Sequence, residues 1–186
     1  MNIDTLSKCA CFTHSRQVAK ISAWLAESIG YSPDEAAVVE QAGLFHDIGK
    51  SDIPKQILNK PGALTQDEYA IVKTHTALGY NKIIEAINAL TIAAAVCRDH
   101  HERPDGSGYY GSRDTHPYAK LIAVADVFDA LYSKRAYKDA WDMDRIKSYF
   151  HTQAGTQFDA DIVRLLFSDI ETVLLLYQPL DTAAKA

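Results

Sequence analysis

Apolar residues recur at helical spacing along almost the whole chain. Val18, Ile21, Leu25 and Ile29 fall at steps of three and four, with Trp24 beside them, and Gly30 stops the run. The small residues Ser22 and Ala23 let a neighbouring helix approach this stripe closely. Ser32-Pro33-Asp34-Glu35 predicts the start of a second helix: Ser32 caps, Pro33 suits the first turn, and Glu35 completes a capping box. That helix carries Val38, Val39, Ala42 and Phe45 and ends at His46-Asp47-Ile48-Gly49-Lys50. Pro54, Pro61 and Gly62 punctuate a connecting loop. Thr65 and Glu68 form a second capping box and open a helix through Tyr69, Val72, His75, Leu78 and Ile83 to about residue 87. A fourth helix runs from about residue 89 into His100-His101, and a long loop rich in Gly and Pro follows, 102–118. Residues 119–133 are strongly apolar and helical, with Asp126 and Asp129 inside the run. Asp142 or Asp144 caps another helix ending near Gly155, and Asp159 caps a last one reaching about Tyr177. The tail, 178–186, is expected to fray. Neither βαβ alternation nor a glycine-rich phosphate loop is visible, so a Rossmann or P-loop fold has no support. The expectation is one all-α domain over 1–186, with its motif-bearing core at about 14–167.

Composition adds limits. With 186 residues, 47% apolar and 23% charged, the chain has the balance of one globular domain rather than a disordered tail or a coiled coil. Lys and Arg number 19 against 24 Asp and Glu, a net charge of -5, which argues against a nucleic-acid polymer as partner. No apolar run approaches the ~18 residues of a membrane span, and no secretory signal pattern opens the sequence, so a cytoplasmic location is expected. Cys9, Cys11 and Cys97 read as reduced thiols, and Cys9-Ala10-Cys11 lacks the second Cys pair a metal site would need. Histidine stands out with seven copies.

Several of those histidines sit where chemistry is plausible. Neighbours on a helix point ~100° apart, but at a helix end His46 and Asp47 both reach a site just beyond the terminus, and Gly49 lets the chain turn there. Imidazole with carboxylate suits Fe, Mn or Zn, and a carboxylate has two oxygens with which to bridge ions. The plain alternative is a histidine complementing a helix dipole. His100-His101 repeats the pattern at a second helix end. Asp126, inside Ala123-Val124-Ala125-Asp126-Val127-Phe128-Asp129, is costly if buried without a partner, a cost that metal ligation or a salt bridge removes. Asp129, three residues on, is a candidate for a supporting or capping role. His14 and His75, each taken alone, read as ordinary structural histidines, and His116 and His151 as surface or packing residues. Lys50, Arg135 and Lys138 are cations suited to phosphate, or else solvated helix ends.

Taken in order, these segments resemble the HD-GYP domains, a subgroup of the HD phosphohydrolases. The matching residues are His14, His46-Asp47-Ile48-Gly49-Lys50, Ile57-Leu58-Asn59-Lys60-Pro61-Gly62 and Ile71-Val72-Lys73-Thr74-His75. They continue with His100-His101-Glu102-Arg103-Pro104-Asp105-Gly106-Ser107-Gly108-Tyr109, Asp126-Val127-Phe128-Asp129-Ala130-Leu131, Arg135-Ala136-Tyr137-Lys138 and Gly155-Thr156-Gln157-Phe158-Asp159. The resemblance implies an all-helical HD-domain bundle with a metal site at its centre. It implies a phosphodiesterase that cuts cyclic di-GMP to linear pGpG, and with a second cut to GMP, using water acidified between two metals. By position, His14, His46, Asp47, His75, His100, His101 and Asp126 become metal ligands. Asp47 would bridge two divalent ions, iron or manganese, one completed by His14, His46 and Asp126, the other by His75, His100 and His101. Lys50 would orient substrate or solvent, and Arg135 and Lys138 would hold the phosphates.

Two departures from the family pattern bear on that reading. The signature Gly-Tyr-Pro is here Gly108-Tyr109-Tyr110, which loses the backbone restraint of Pro. Ala10 stands where some members carry a further Glu ligand, favouring two ions over three. With no room for a sensory domain in these residues, a diguanylate cyclase or another regulatory protein is expected to act in trans. Two further readings stand beside the first: an HD phosphohydrolase of another nucleotide or phosphoester, and a module that binds cyclic di-GMP or a diguanylate cyclase without turnover.

Overall fold

The computed structural model describes residues 10–86, 90–134 and 139–177. Among these the architecture is all-α, and no strand is formed. The first helix, α1 (Ala10–Ser28), packs against α2 (Pro33–Phe45) on one side and α7 (Pro117–Tyr132) on the other. A short 3-10 helix (Ile48–Asp52) and a single turn, α3 (Lys55–Leu58), occupy the stretch expected to be loop. Then come α4 (Gln66–Lys73), α5 (His75–Ala86) and α6 (Thr91–Asp99). The chain ends in α8 (Met143–Gln153), α9 (Ala160–Ser168) and α10 (Ile170–Leu175).

The predicted caps form. Ser32 and Glu35 exchange both bonds of a capping box, as do Thr65 and Glu68, and Asp142 and Asp159 cap α8 and α9. Two expected helices are each broken in two. The run from Thr65 divides at Thr74, whose hydroxyl donates to the Ile71 carbonyl while the Thr76 hydroxyl donates to Lys73. Hydroxyls that bond back to helix carbonyls compete with the helical ladder. The last run divides at Asp169, which leaves helical geometry (φ -141°, ψ 60°) and caps α10 through Thr172. The apolar helix begins two residues before its expected start, because His116 accepts from the Tyr118 amide and Pro117 fills the first turn.

Val18, Ile21 and Leu25 of α1 are buried, whereas Ile29 is 47% exposed because the helix has already ended. Phe128, Phe150 and Phe158 fill the far side of the core, Phe150 and Phe158 stacked at 4.7 Å. Burial of this kind contributes roughly 25 cal/mol per Å² of apolar surface. The packing leaves the ends of α2 and α6, the first turn of α5 and one face each of α1 and α7 pointing at a common point.

Candidate metal centre

Seven side chains meet at that point, and each has a local reason to be there. The α2 helix ends at Phe45, so His46 and Asp47 stand in the break before the 3-10 helix. The Asp47 backbone (φ -104°, ψ 12°) is already non-helical, which lets adjacent residues face one site. Gly49 serves a purpose different from the expected sharp turn. Its backbone is not left-handed; instead a Cβ there would sit 1.9 Å from the His75 carbonyl oxygen. Glycine thus allows the Asp47 segment to press onto the first turn of α5. His100 and His101 close α6, His14 lies in α1, and Asp126 projects from the middle of α7.

The rings are oriented from behind. The Nδ1–H of His46 donates to the Gly43 carbonyl (2.7 Å), that of His75 to Val72 (2.7 Å) and that of His100 to Cys97 (2.9 Å). A carbonyl only accepts, so Nδ1 carries a proton in all three, and in the neutral ring Nε2 is left with a lone pair. Those lone pairs face the Asp47 carboxylate: His46 Nε2 lies 3.3 Å from Oδ2, and His75 and His100 Nε2 lie 3.3 and 3.8 Å from Oδ1. The Nε2 atoms of His75 and His100 are 3.5 Å apart. With neutral rings these are acceptors directed at acceptors, which repel unless a cation, a proton or a metal ion, lies among them. Accordingly, His46 Nε2 and Asp47 Oδ1 are buried without a hydrogen-bond partner, an arrangement otherwise costly in a folded core. Both atoms fit a divalent metal.

Ligand atoms fall in two groups whose members all lie within 4.8 Å of one another: Asp47, His75, His100 and His101, and His14, His46 and Asp126. His14 Nε2 is 3.0 Å from Asp126 Oδ1, and its Nδ1 is 2.5 Å from Asp129 Oδ2. Burial works against a charged His14, but bonding to Asp126 and Asp129 outweighs it and raises the ring to about 9. Burial lowers His101 to about 4 and pushes His100 well below the usual imidazole range. Burial opposes ionisation of Asp47, yet the Lys50 ammonium 2.5 Å away holds it well below the usual carboxylate range. Asp126 is likewise held low against burial by His14.

A cleft opens beside His101 and Asp126, lined further by Tyr69, Arg103, Ser107, Tyr109 and Gln157. Its rim is the loop after α6. Buried Glu102 accepts from the amides of Tyr110 (2.8 Å) and Ser112 (2.9 Å), and a Cβ on Gly108 would lie 2.5 Å from the Glu102 Cα. Lys73 donates to the Tyr109 carbonyl and lies over the rings of Tyr109 and Tyr110, while Tyr110, 58% exposed, donates to the Lys73 carbonyl. The structure therefore brings His14, His46, Asp47, Lys50, His75, His100, His101 and Asp126 together. Arg135 and Lys138 lie outside the described residues. His116 caps α7, and His151 is exposed against Phe167. Sequence reasoning missed Glu102 and Asp99; the latter is pinned by Arg98 and accepts from the His116 amide. The only sequence signal for Glu102 was its place directly after the His pair.

Comparison with known proteins agrees with this geometry. The sequence profile described as HD domain matches residues 1–162. The cyclic di-GMP phosphodiesterase response regulator RpfG of Xanthomonas campestris pv. campestris (strain 8004) is 40% identical over 154 residues, covering 81% of this chain and 41% of that protein. A 3'3'-cGAMP-specific phosphodiesterase 2 of Vibrio cholerae is 37% identical, covering 82% of this chain and 30% of that protein. A cyclic di-GMP phosphodiesterase of Thermotoga maritima is 36% identical, covering 81% and 42%. The chain thus spans less than half the length of these relatives. Among solved structures, Bd1817, a HDG"Y"P protein from Bdellovibrio bacteriovorus, superposes with a TM-score of 0.69 at 20% identity, covering 86% of this chain and 52% of that one, a likeness of fold. A profile that matches most of the chain and the His-Asp pair at the meeting point of the helices lead to one assignment: the chain belongs to the HD domain family.

Proposed function

We propose that the chain is a metal-dependent phosphodiesterase that hydrolyses cyclic di-GMP to linear pGpG and, by a second cut, to GMP. The observation that carries this reading is the convergence of buried lone pairs from His46, His75 and His100 on the Asp47 carboxylate, an arrangement that calls for cations. His14, His46 and Asp126 would hold one divalent ion and His75, His100 and His101 another, with Asp47 between them; iron or manganese suits this donor set. Ions bound there would acidify the attacking water and screen the phosphodiester charge.

The chain's own residues do the rest. Asp47 fixes the geometry from the helix break, and Lys50 brings a positive charge to where negative charge develops on phosphorus oxygens. His101, uncharged at neutral pH, forms the cleft wall with Tyr109, their rings 4.4 Å apart. Arg135 and Lys138 are proposed to grip the two phosphates. A diguanylate cyclase or regulatory protein in trans, and a cytoplasmic location, belong to the same proposal; among the described residues no helix is long and apolar enough to cross a membrane.

A second substrate is favoured by a specific observation: a 37% identical relative is named as 3'3'-cGAMP-specific. The test is to purify the protein without oxygen, measure metal per chain, and offer cyclic di-GMP, 3'3'-cGAMP and unrelated phosphoesters. Linear pGpG from cyclic di-GMP, lost in Asp47→Ala, is the expected result. Turnover of 3'3'-cGAMP alone moves the substrate. Turnover of only an unrelated phosphoester points to another HD phosphohydrolase, and tight binding without product to a signalling module.

A further inference from the structure

Asp129 has no place among the proposed ligands, yet it is 2% exposed and fully occupied with hydrogen bonds. Its Oδ2 takes the Nδ1 side of His14 at 2.5 Å. Its Oδ1 accepts from the Ser133 hydroxyl at 2.8 Å and the Tyr177 hydroxyl at 2.9 Å. Tyr177 follows α10, beyond residues 1–162 that match the family profile, so this bond enters the centre from outside the matched domain. The Tyr177 ring is wedged edge-on against Tyr132 at 4.7 Å and lies 6.4 Å from Phe128, which fixes its hydroxyl independently of Asp129.

We infer that Tyr177 is a positioning residue: through Asp129 it aims the Nε2 of His14 at the ion held with His46 and Asp126. The argument is geometric. A carboxylate on one helix face rotates about two side-chain bonds. Ser133, the residue that directly follows the same helix, restrains it only relative to α7. Tyr177 ties it to a separate element, so His14 on α1, Asp129 on α7 and the segment after α10 form one braced chain. Partners behind a metal-ligating histidine commonly set metal affinity by 10–100-fold, and a partner one step further back is expected to act more weakly. This inference rests on the two-ion reading above.

The test is Tyr177→Phe, which keeps the ring packing and removes only the hydroxyl. Mn²⁺ binding to the metal-free protein is followed by chelator competition and by the electron paramagnetic resonance of bound ions, in parallel with wild type. The expected result is that one of the two ions weakens about 3–10-fold while the other binds as before. A ring ¹H–¹⁵N spectrum of the metal-free variant should also show the His14 Nδ1–H signal moved or broadened, with the His46, His75 and His100 signals unchanged. Equal weakening of both ions means general loosening and overturns the inference, as does unchanged binding of both. A wild type that takes up fewer than two ions overturns the two-ion reading itself, and the inference with it.

Discussion

Protons and metal ions compete for His14. Burial disfavours its charge, but Asp126 and Asp129 raise it from 6.5 to about 9, so at neutral pH the metal-free ring is charged. A group raised on folding lends stability that is fully present below its unfolded value and is lost as pH rises through the folded one. The metal-free protein should therefore lose this contribution between about pH 6.5 and 9. Metal uptake must expel the same proton. His101, at about 4, adds no second one near neutrality. Affinity for Mn²⁺ at the His14 site should rise up to about tenfold per pH unit and level off near pH 9, as read by chelator competition across buffers. Asp47 meets both groups of donors, so Asp47→Ala should strip bound metal and cut cyclic di-GMP hydrolysis by at least ~100-fold, checked by metal analysis and product chromatography. Lys50→Met should instead lower kcat by about 100-fold while metal content stays near wild type, because its charge acts on the developing phosphate.

Between elements, the decisive contact is the 3-10 helix against α5. A methyl at Gly49 would fall on the His75 carbonyl, so Gly49→Ala must push apart the two segments that carry Asp47 and His75. It should cost about 3 kcal/mol in urea unfolding and weaken metal binding more than a surface substitution does. The His46-Asp47 motif and its place at a helix end were legible in the sequence, as were the capping boxes at Ser32 and Thr65, because caps and apolar periodicity are local properties. The breaks at Thr74 and Asp169 were not, since Thr and Asp bond back to the main chain only when tertiary packing tips the balance. The close approach at Gly49 was misread as a turn for the same reason: its cause lies on α5, far along the chain. Tyr177 carried no sequence signal, because a lone Tyr near a helix end looks like any half-buried aromatic.

On the scale of the whole molecule, the centre gathers side chains from α1, α5, α7 and the residues that directly follow α2 and α6, so bound metal would cross-link most of the bundle. Free metal at a hundred times its dissociation constant adds about 2.7 kcal/mol to the folded state. For a domain of this size that raises the melting midpoint by roughly 5–10 °C. Calorimetry with and without chelator checks this, and an unchanged midpoint would count against the centre as a metal site. The bonds from His46, His75 and His100 to Gly43, Val72 and Cys97 have a further consequence. Their acceptors are main-chain carbonyls, which no side-chain substitution removes. The proton placement on these three rings is thus written into helix geometry: side-chain substitutions at Val72 and Cys97 should leave the Nδ1–H bonds of His75 and His100 in place wherever the helices themselves survive, whereas Gly43 and Gly49, which have no room for a Cβ, must stay glycine.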